Sequence, residues 1–272
     1  MCWRNWKMDS RIERKFNQIK EQNRKALITY ITLGDPSLDK TIELVLEMEK
    51  AGADIVELGI PYSDPLADGP VIQRASSRAL SQNINMESIF SMVSTLRIKT
   101  EIPLVFLVYY NTVFSYGVKK ILNKCKKCGI DGLIIPDLPL EERKILNEMI
   151  KDYSMDLIAL VAPTSHSRIE SIVKEGRGFI YCISSKGVTG TRENFDEGLE
   201  NFIKEVRKYS KIPLAIGFGI SDAESLRKLK SLADGLIVGS AIVKEIEKGI
   251  ESGNSERRVY EFVKSLKEAI DE

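Results

Sequence analysis

One pattern constrains this chain more than any other: a short apolar run followed by a longer amphipathic stretch, repeated eight times. The runs are Ala26–Leu33, Asp54–Gly59, Leu104–Tyr109, Gly132–Ile135, Asp156–Val161, Gly178–Ile183, Leu214–Phe218 and Gly235–Val238. They are near-continuously apolar rather than alternating, as strands are when both faces are covered. Helical periodicity falls between them, at about 37–50, 71–82, 86–99, 116–127, 140–152, 167–175, 197–208 and 222–232, with a last pair over about 241–249 and 254–270. A further helix over about 8–23 precedes the first strand and puts Ile12, Phe16 and Ile19 on one face. Ser37 is placed to cap the second helix, and Ser221 followed by Glu224 has the spacing of a capping box. Eight such units in ~240 residues predict an α/β chain closed into a (β/α)8 TIM barrel, with an additional N-terminal helix and extra short helices. An open doubly wound sheet is the alternative.

At 272 residues the chain suits one such barrel, and no composition break divides it. Residues 8–272 are therefore expected to form a single domain. The first seven, Met1-Cys2-Trp3-Arg4-Asn5-Trp6-Lys7, read as an extension, too short and polar for a secretory signal. Forty Lys and Arg against thirty-nine Asp and Glu leave a formal charge of +1, so no general pull toward nucleic acid or anionic membrane is expected. The longest apolar runs, such as 103–110, fall far short of the ~20 residues of a membrane helix. A cytoplasmic protein is expected. Cys125 and Cys128 have CxxC spacing, but with four cysteines and one histidine in all there is neither a disulfide scaffold nor a zinc ligand set. They read as helix-end residues, and no metal is expected.

In a barrel the active site is built at the carboxyl ends of the strands. The second strand carries the clearest candidate, Glu57, an ionisable group inside an apolar run, where a charge is costly unless paired or functional. The loop Pro61-Tyr62-Ser63-Asp64-Pro65-Leu66-Ala67-Asp68-Gly69-Pro70 is stiffened by its prolines and can bring Asp68 back over the barrel mouth. Two carboxylates in differing environments are the arrangement acid–base chemistry uses. The alternative is structural: Glu57 paired with a base, and Asp68 capping the helix that Asp-Gly-Pro would start.

After the sixth strand, residues 184–193 combine two glycines, small side chains and mixed charge, as in a mobile lid or an ordinary surface loop. The last two strands end in Gly217-Phe218-Gly219 and Gly239-Ser240. Loops at these two positions of a barrel often hold a phosphate on backbone N–H groups, although a lone Gly-x-Gly is also a simple turn.

At these residues the sequence resembles the tryptophan synthase alpha-subunit family. Glu57 through Pro70 matches the family signature almost residue for residue, and Thr32-Leu33-Gly34-Asp35-Pro36, Gly187-Val188-Thr189-Gly190 and Gly217-Phe218-Gly219-Ile220 follow in order. The likeness spans roughly residues 8–270. It implies retro-aldol cleavage of indole-3-glycerol phosphate to indole and glyceraldehyde 3-phosphate, with Glu57 as the general acid–base and Asp68 accepting the indole N–H. It further implies Tyr181 positioning Glu57 and Thr189 closing over the substrate to meet Asp68. Gly190, Gly219, Gly239 and Ser240 would bind phosphate, and Tyr30, Leu107, Tyr109 and Ile134 would line the indole pocket.

The same resemblance implies an αββα complex with a beta subunit that uses pyridoxal phosphate, docked around Asp64 and Tyr109–Asn111, and no cofactor in this chain. Thr29, where many members carry proline, Lys186 and His166 depart from the family pattern; His166 is expected at the surface. Two readings compete: a module that only activates its beta partner, and another phosphate-binding barrel such as a sugar-phosphate isomerase.

Overall fold

A computed structural model describes residues 10–65, 68–183, 192–217 and 219–272. The expected extension and two of the expected site residues, Thr189 and Gly190, lie outside these, as do most of the expected lid and Lys186. The first helix, α1 (Arg11–Glu21), is closed by a capping box in which Ser10 and Glu13 exchange side-chain and backbone hydrogen bonds. Then β1 (Ala26–Thr32) leads to α2 (Leu38–Lys50), β2 (Ile55–Gly59) to α3 (Pro70–Leu80) and α4 (Met86–Arg97), and β3 (Leu104–Leu107) to α5 (Tyr110–Tyr116) and α6 (Val118–Cys128). Next come β4 (Gly132–Ile134), α7 (Leu140–Ile150), β5 (Asp156–Leu157), β6 (Ala159–Val161), α8 (Ile169–Lys174) and β7 (Ile180–Ile183). The chain ends with α9 (Arg192–Tyr209), β8 (Leu214–Gly217), α10 (Ala223–Leu229), β9 (Gly235–Val238), α11 (Ser240–Ser252) and α12 (Ser255–Asp271).

All neighbouring strands are parallel, in the order β5-β4-β3-β2-β1-β9-β8-β7-β6. The two ends of that order, β5 and β6, are separated in the chain by Ile158 alone, so the sheet comes round on itself as the expected TIM barrel. The expected fifth strand is thus two short ladders, one on each neighbour; at the break, the Ile158 carbonyl accepts from Arg143 Nη2 at 3.1 Å.

Side chains alternate between two cores. Leu27, Ile31, Val56 and Leu58 pack outward under the helices, whereas Ile28, Ile55, Val105, Ile134, Phe179 and Ala215 fill the barrel interior. Helix α1 belongs to the inner core: Ile12, Phe16 and Ile19 join it, with the Phe16 and Phe179 rings 5.7 Å apart. The apolar face read from the sequence therefore plugs the barrel instead of covering its outside.

Three local expectations need correction. The helix expected over 116–127 is found as α6 but starts at Val118, and a separate short helix, α5, stands before it; Gly117, with a φ of 94°, turns the chain between the two. The helix α10 is capped by Asp222, whose carboxylate accepts the Ser225 N–H at 2.8 Å; Ser221 donates to Asp222 instead of forming a box with Glu224. Helix α9 begins at Arg192, inside the stretch expected as lid. Ser37 caps α2 as expected, and Cys125 and Cys128 are buried free thiols at the end of α6. Among the described residues no group of His, Cys, Asp and Glu is arranged to hold a metal, and no helix is long and apolar enough to cross a membrane.

Candidate active site

Glu57 is the third residue of β2, in register with Tyr30 on β1 and Val105 on β3. It is 1% exposed, and its Oε1 has no hydrogen-bond partner among the described residues. No base pairs with it there, which sets aside the structural ion pair. Burial with nothing to offset it pushes the carboxyl up to about 8, because desolvation penalises the charged form. Among the described residues its neighbours are phenols: Tyr30 and Tyr181 are both buried and feel the Glu57 charge, and burial raises both of their pKa values. Their rings fit because Gly59 and Gly217 lack side chains; a Cβ on Gly59 would collide with the Tyr30 ring, and one on Gly217 with the Tyr181 ring.

Asp68 reaches the same mouth from the β2–α3 connection. Helix α3 takes Gly69 as its N-cap and Pro70 as its first residue, so the Asp68 carboxylate is not used as a cap. The Asp68 backbone holds the turn, its N–H donating to the Pro65 carbonyl at 3.1 Å and its carbonyl accepting from Gln73 Nε2 at 2.9 Å. Tyr109, at the end of the third barrel strand, donates its hydroxyl to Asp68 Oδ2 at 3.2 Å. The Tyr109 ring stacks on Tyr62 at 4.8 Å, and Asn111 donates to the Tyr62 hydroxyl at 3.2 Å. Burial raises the Asp68 pKa, and the Tyr109 hydrogen bond works against that rise.

Between these groups lies a cavity of about 280 Å³. Glu57, Asp68, Tyr30, Leu107 and Tyr181 line it, and so do Gly219, Gly239 and Ser240 from the two glycine-bearing strand ends. The structure therefore brings together eight of the expected site residues. Two others stand elsewhere: Ile134 is packed in the inner core, and Tyr109 braces Asp68 instead of forming the cavity wall. The lining residues that were not among the expected site residues include Ile72, Ile220, Ile237 and Lys244. The apolar three were hidden among core positions of the same character, while Lys244 sits one turn beyond the Gly239-Ser240 pair and was legible from that spacing.

The far side of the cavity suits an anion. Gly239 caps α11 without a side-chain hydrogen bond, so the first-turn N–H groups from Ser240 onward are not spent on a cap. At Gly219 the backbone has a φ of 80°, a conformation that favours glycine and turns the chain at the cavity edge. A carboxylic acid that stays protonated at neutral pH, a second carboxyl braced by a phenol and an anion cradle thus share one apolar chamber. Such a chamber can shuttle a proton to and from a flat, phosphate-bearing substrate.

Comparison with known proteins gives one answer. A sequence profile of the family described as tryptophan synthase alpha chain matches residues 16–271. The chain is 60% identical over 261 residues to the tryptophan synthase alpha chain of Alkaliphilus metalliredigens, covering 96% of this chain and 98% of that one. It is 53% identical to the corresponding protein of Caldanaerobacter subterraneus, covering 96% and 100%. The crystal structure of tryptophan synthase subunit alpha from Legionella pneumophila superposes with a TM-score of 0.90 at 33% identity, over 96% of this chain and 98% of that one.

Proposed function

This chain belongs to the tryptophan synthase alpha chain family, a carbon–carbon lyase acting on indole-3-glycerol phosphate, and on that premise we propose that Glu57 and Asp68 carry the cleavage. The observation that supports this most is the buried Glu57 carboxyl, unpartnered at Oε1 and facing a cavity that Asp68 also lines. With a pKa of about 8, Glu57 enters the reaction as the neutral acid at pH 7. It gives its proton to C3 of the indole ring, forming the indolenine. The resulting carboxylate takes the proton of the adjacent glycerol hydroxyl. The bond between C3 and the side chain then breaks, its electron pair restores the aromatic ring, and the hydroxyl carbon leaves as the aldehyde of glyceraldehyde 3-phosphate. Glu57 ends protonated, as it began.

Asp68 accepts the ring N–H and offsets the positive charge that develops on nitrogen when C3 is protonated. Tyr109 holds it there. Tyr30, Leu107 and Tyr181 enclose the flat ring, and Tyr181 keeps Glu57 in its apolar setting. The phosphate rests on the backbone at Gly219, Gly239 and Ser240, with Gly190 completing the cradle and Thr189 closing over the substrate. This sequence of steps asks for no cofactor in the chain.

Residues 8–272 act as one unit, in the cytoplasm, with a beta subunit that takes up the indole and carries pyridoxal phosphate, in an αββα tetramer. The docking face we assign is the loop carrying Asp64 together with α5, where Asn111 is exposed and Phe114 is 69% exposed, a large apolar side chain for a partner to cover. The test is release of indole from indole-3-glycerol phosphate by the purified chain, with and without a beta subunit. Indole formation that is lost in Asp68→Asn supports the reading. A wild-type chain that releases none under either condition overturns it, as does an Asp68→Asn chain of unchanged rate.

A further inference from the structure

Resting on the reading above, we propose that Lys244 is a specificity-determining residue of this site, the fixed positive charge that selects a phosphate monoester over an uncharged substrate. Three observations carry this. First, Lys244 is the sole cation among the described residues lining the cavity, whose carboxyl groups are Glu57 and Asp68. A doubly charged phosphate entering beside the Asp68 carboxylate, and beside the Glu57 carboxylate that forms once its proton is given up, meets repulsion that backbone N–H groups offset only in part.

Second, Lys244 is exposed and makes no ion pair among the described residues, although its helix is rich in acids. The two acids nearest to it on the helix are already engaged. Glu245 accepts Lys248 and Arg258 at 2.6 Å each, and Glu247 accepts Arg74 and Arg78 at 2.8 Å each. Arg78 is tied further to the buried Asp35. Arg74, Arg78, Lys248 and Arg258 are taken up by these pairs and do not line the cavity, which Lys244 does.

Third, Lys244 follows Ser240 by four residues on α11, so its side chain and the helix's first-turn N–H groups serve the same end of the cavity. The buried Glu57, whose Oε1 has no hydrogen-bond partner among the described residues, lies in the same chamber, which marks the space as built for a ligand instead of being a gap in the surface.

A charge that acts on the phosphate equally before and during cleavage changes KM and leaves kcat in place. The experiment compares wild type with Lys244→Met, Lys244→Gln and Lys244→Arg. KM for indole-3-glycerol phosphate is measured at low and high salt, with competition by glycerol 3-phosphate and by indole. We expect Met and Gln to raise KM about tenfold with kcat within about twofold, and to flatten the salt dependence of KM. Inhibition by glycerol 3-phosphate weakens by the same factor, inhibition by uncharged indole does not move, and arginine restores most of the loss. An unchanged KM, or equal weakening of both inhibitors, overturns the assignment of Lys244. Absence of indole formation by the wild type would instead overturn the reaction itself, so the two failures are distinct.

Discussion

The two ends of the barrel treat carboxylates in opposite ways. At the amino ends of the strands, Asp54, Asp131 and Asp234 each accept a backbone N–H from the start of a neighbouring strand, at Leu27, Leu104 and Leu214 respectively. Each also meets a cation: Lys267 for Asp54, Arg97 and Arg11 for Asp131, and Arg207 for Asp234. Asp156 accepts the Ser10 hydroxyl and ties α1 to the barrel floor. At the carboxyl ends, among the described residues, Glu57 has no base beside it and no partner for Oε1, and Asp68 accepts from one phenol. Acids at the floor are spent on clipping strands together. Those at the mouth are held unsatisfied, at a cost in stability, for use on a substrate.

That contrast is broken most directly by exchanging losses between the ends. Glu57→Gln keeps the volume and removes the proton, so indole formation should fall by about 10³-fold while the chain stays folded. A rate within tenfold of wild type would make the mouth as structural as the floor. At the floor, Asp131→Ala leaves the mostly buried Arg97 without its carboxylate and Leu104 without its acceptor, and should cost about 3 kcal/mol in urea unfolding. The folded fraction should turn over with wild-type kcat/KM. A specific loss of activity in that variant would show the floor to be part of the chemistry.

The pH dependence of stability sharpens the comparison further. As pH rises, the unfolded chain sheds the Glu57 proton first, near 4.5, and the native chain holds it to about 8. The favourable contribution of this group is thus complete below pH 4.5, declines between the two values and is gone above 8. Glu57→Gln removes that decline, so its stability advantage over wild type should grow across the same window by on the order of 5 kcal/mol. Unfolding curves at pH 5, 7 and 8.5 read it; an advantage that is flat with pH would place a charged, satisfied Glu57 in the native state. Smallest of these effects, Tyr109→Phe removes the hydroxyl that braces Asp68 and should lower kcat/KM by about tenfold to a hundredfold, the worth of one hydrogen bond to a charged group.

Much of this was legible before any coordinates. Eight apolar runs gave the barrel, Ser37 and Gly69-Pro70 marked two helix starts, and an acid inside the second run pointed at the mouth. Periodicity tells which way a side chain points but not what fills the space before it. Hence Leu107 and Ile134, in register on adjacent strands, were both read as pocket residues, and only Leu107 reaches the cavity. Tyr109 was read as a pocket residue, and its hydrogen bond to Asp68 went unread because it depends on a loop path that residue types do not encode. The break at Ile158 depends on Arg143 arriving from another helix, and the turn at Gly117 on one backbone angle. The strand clips at the floor did leave a signal, an Asp just before β2, β4 and β9, and it is recognisable only once neighbouring strands are known.

Titration of the Glu57 carboxyl itself is the most direct test of the claim that the mouth keeps an unsatisfied acid. A carbonyl-stretch infrared difference between wild type and Glu57→Gln, followed from pH 4 to 10, isolates this one group. The account predicts a protonated carboxylic acid at neutral pH that ionises with a midpoint of about 8. An ordinary carboxylate, already ionised by pH 6, would contradict it.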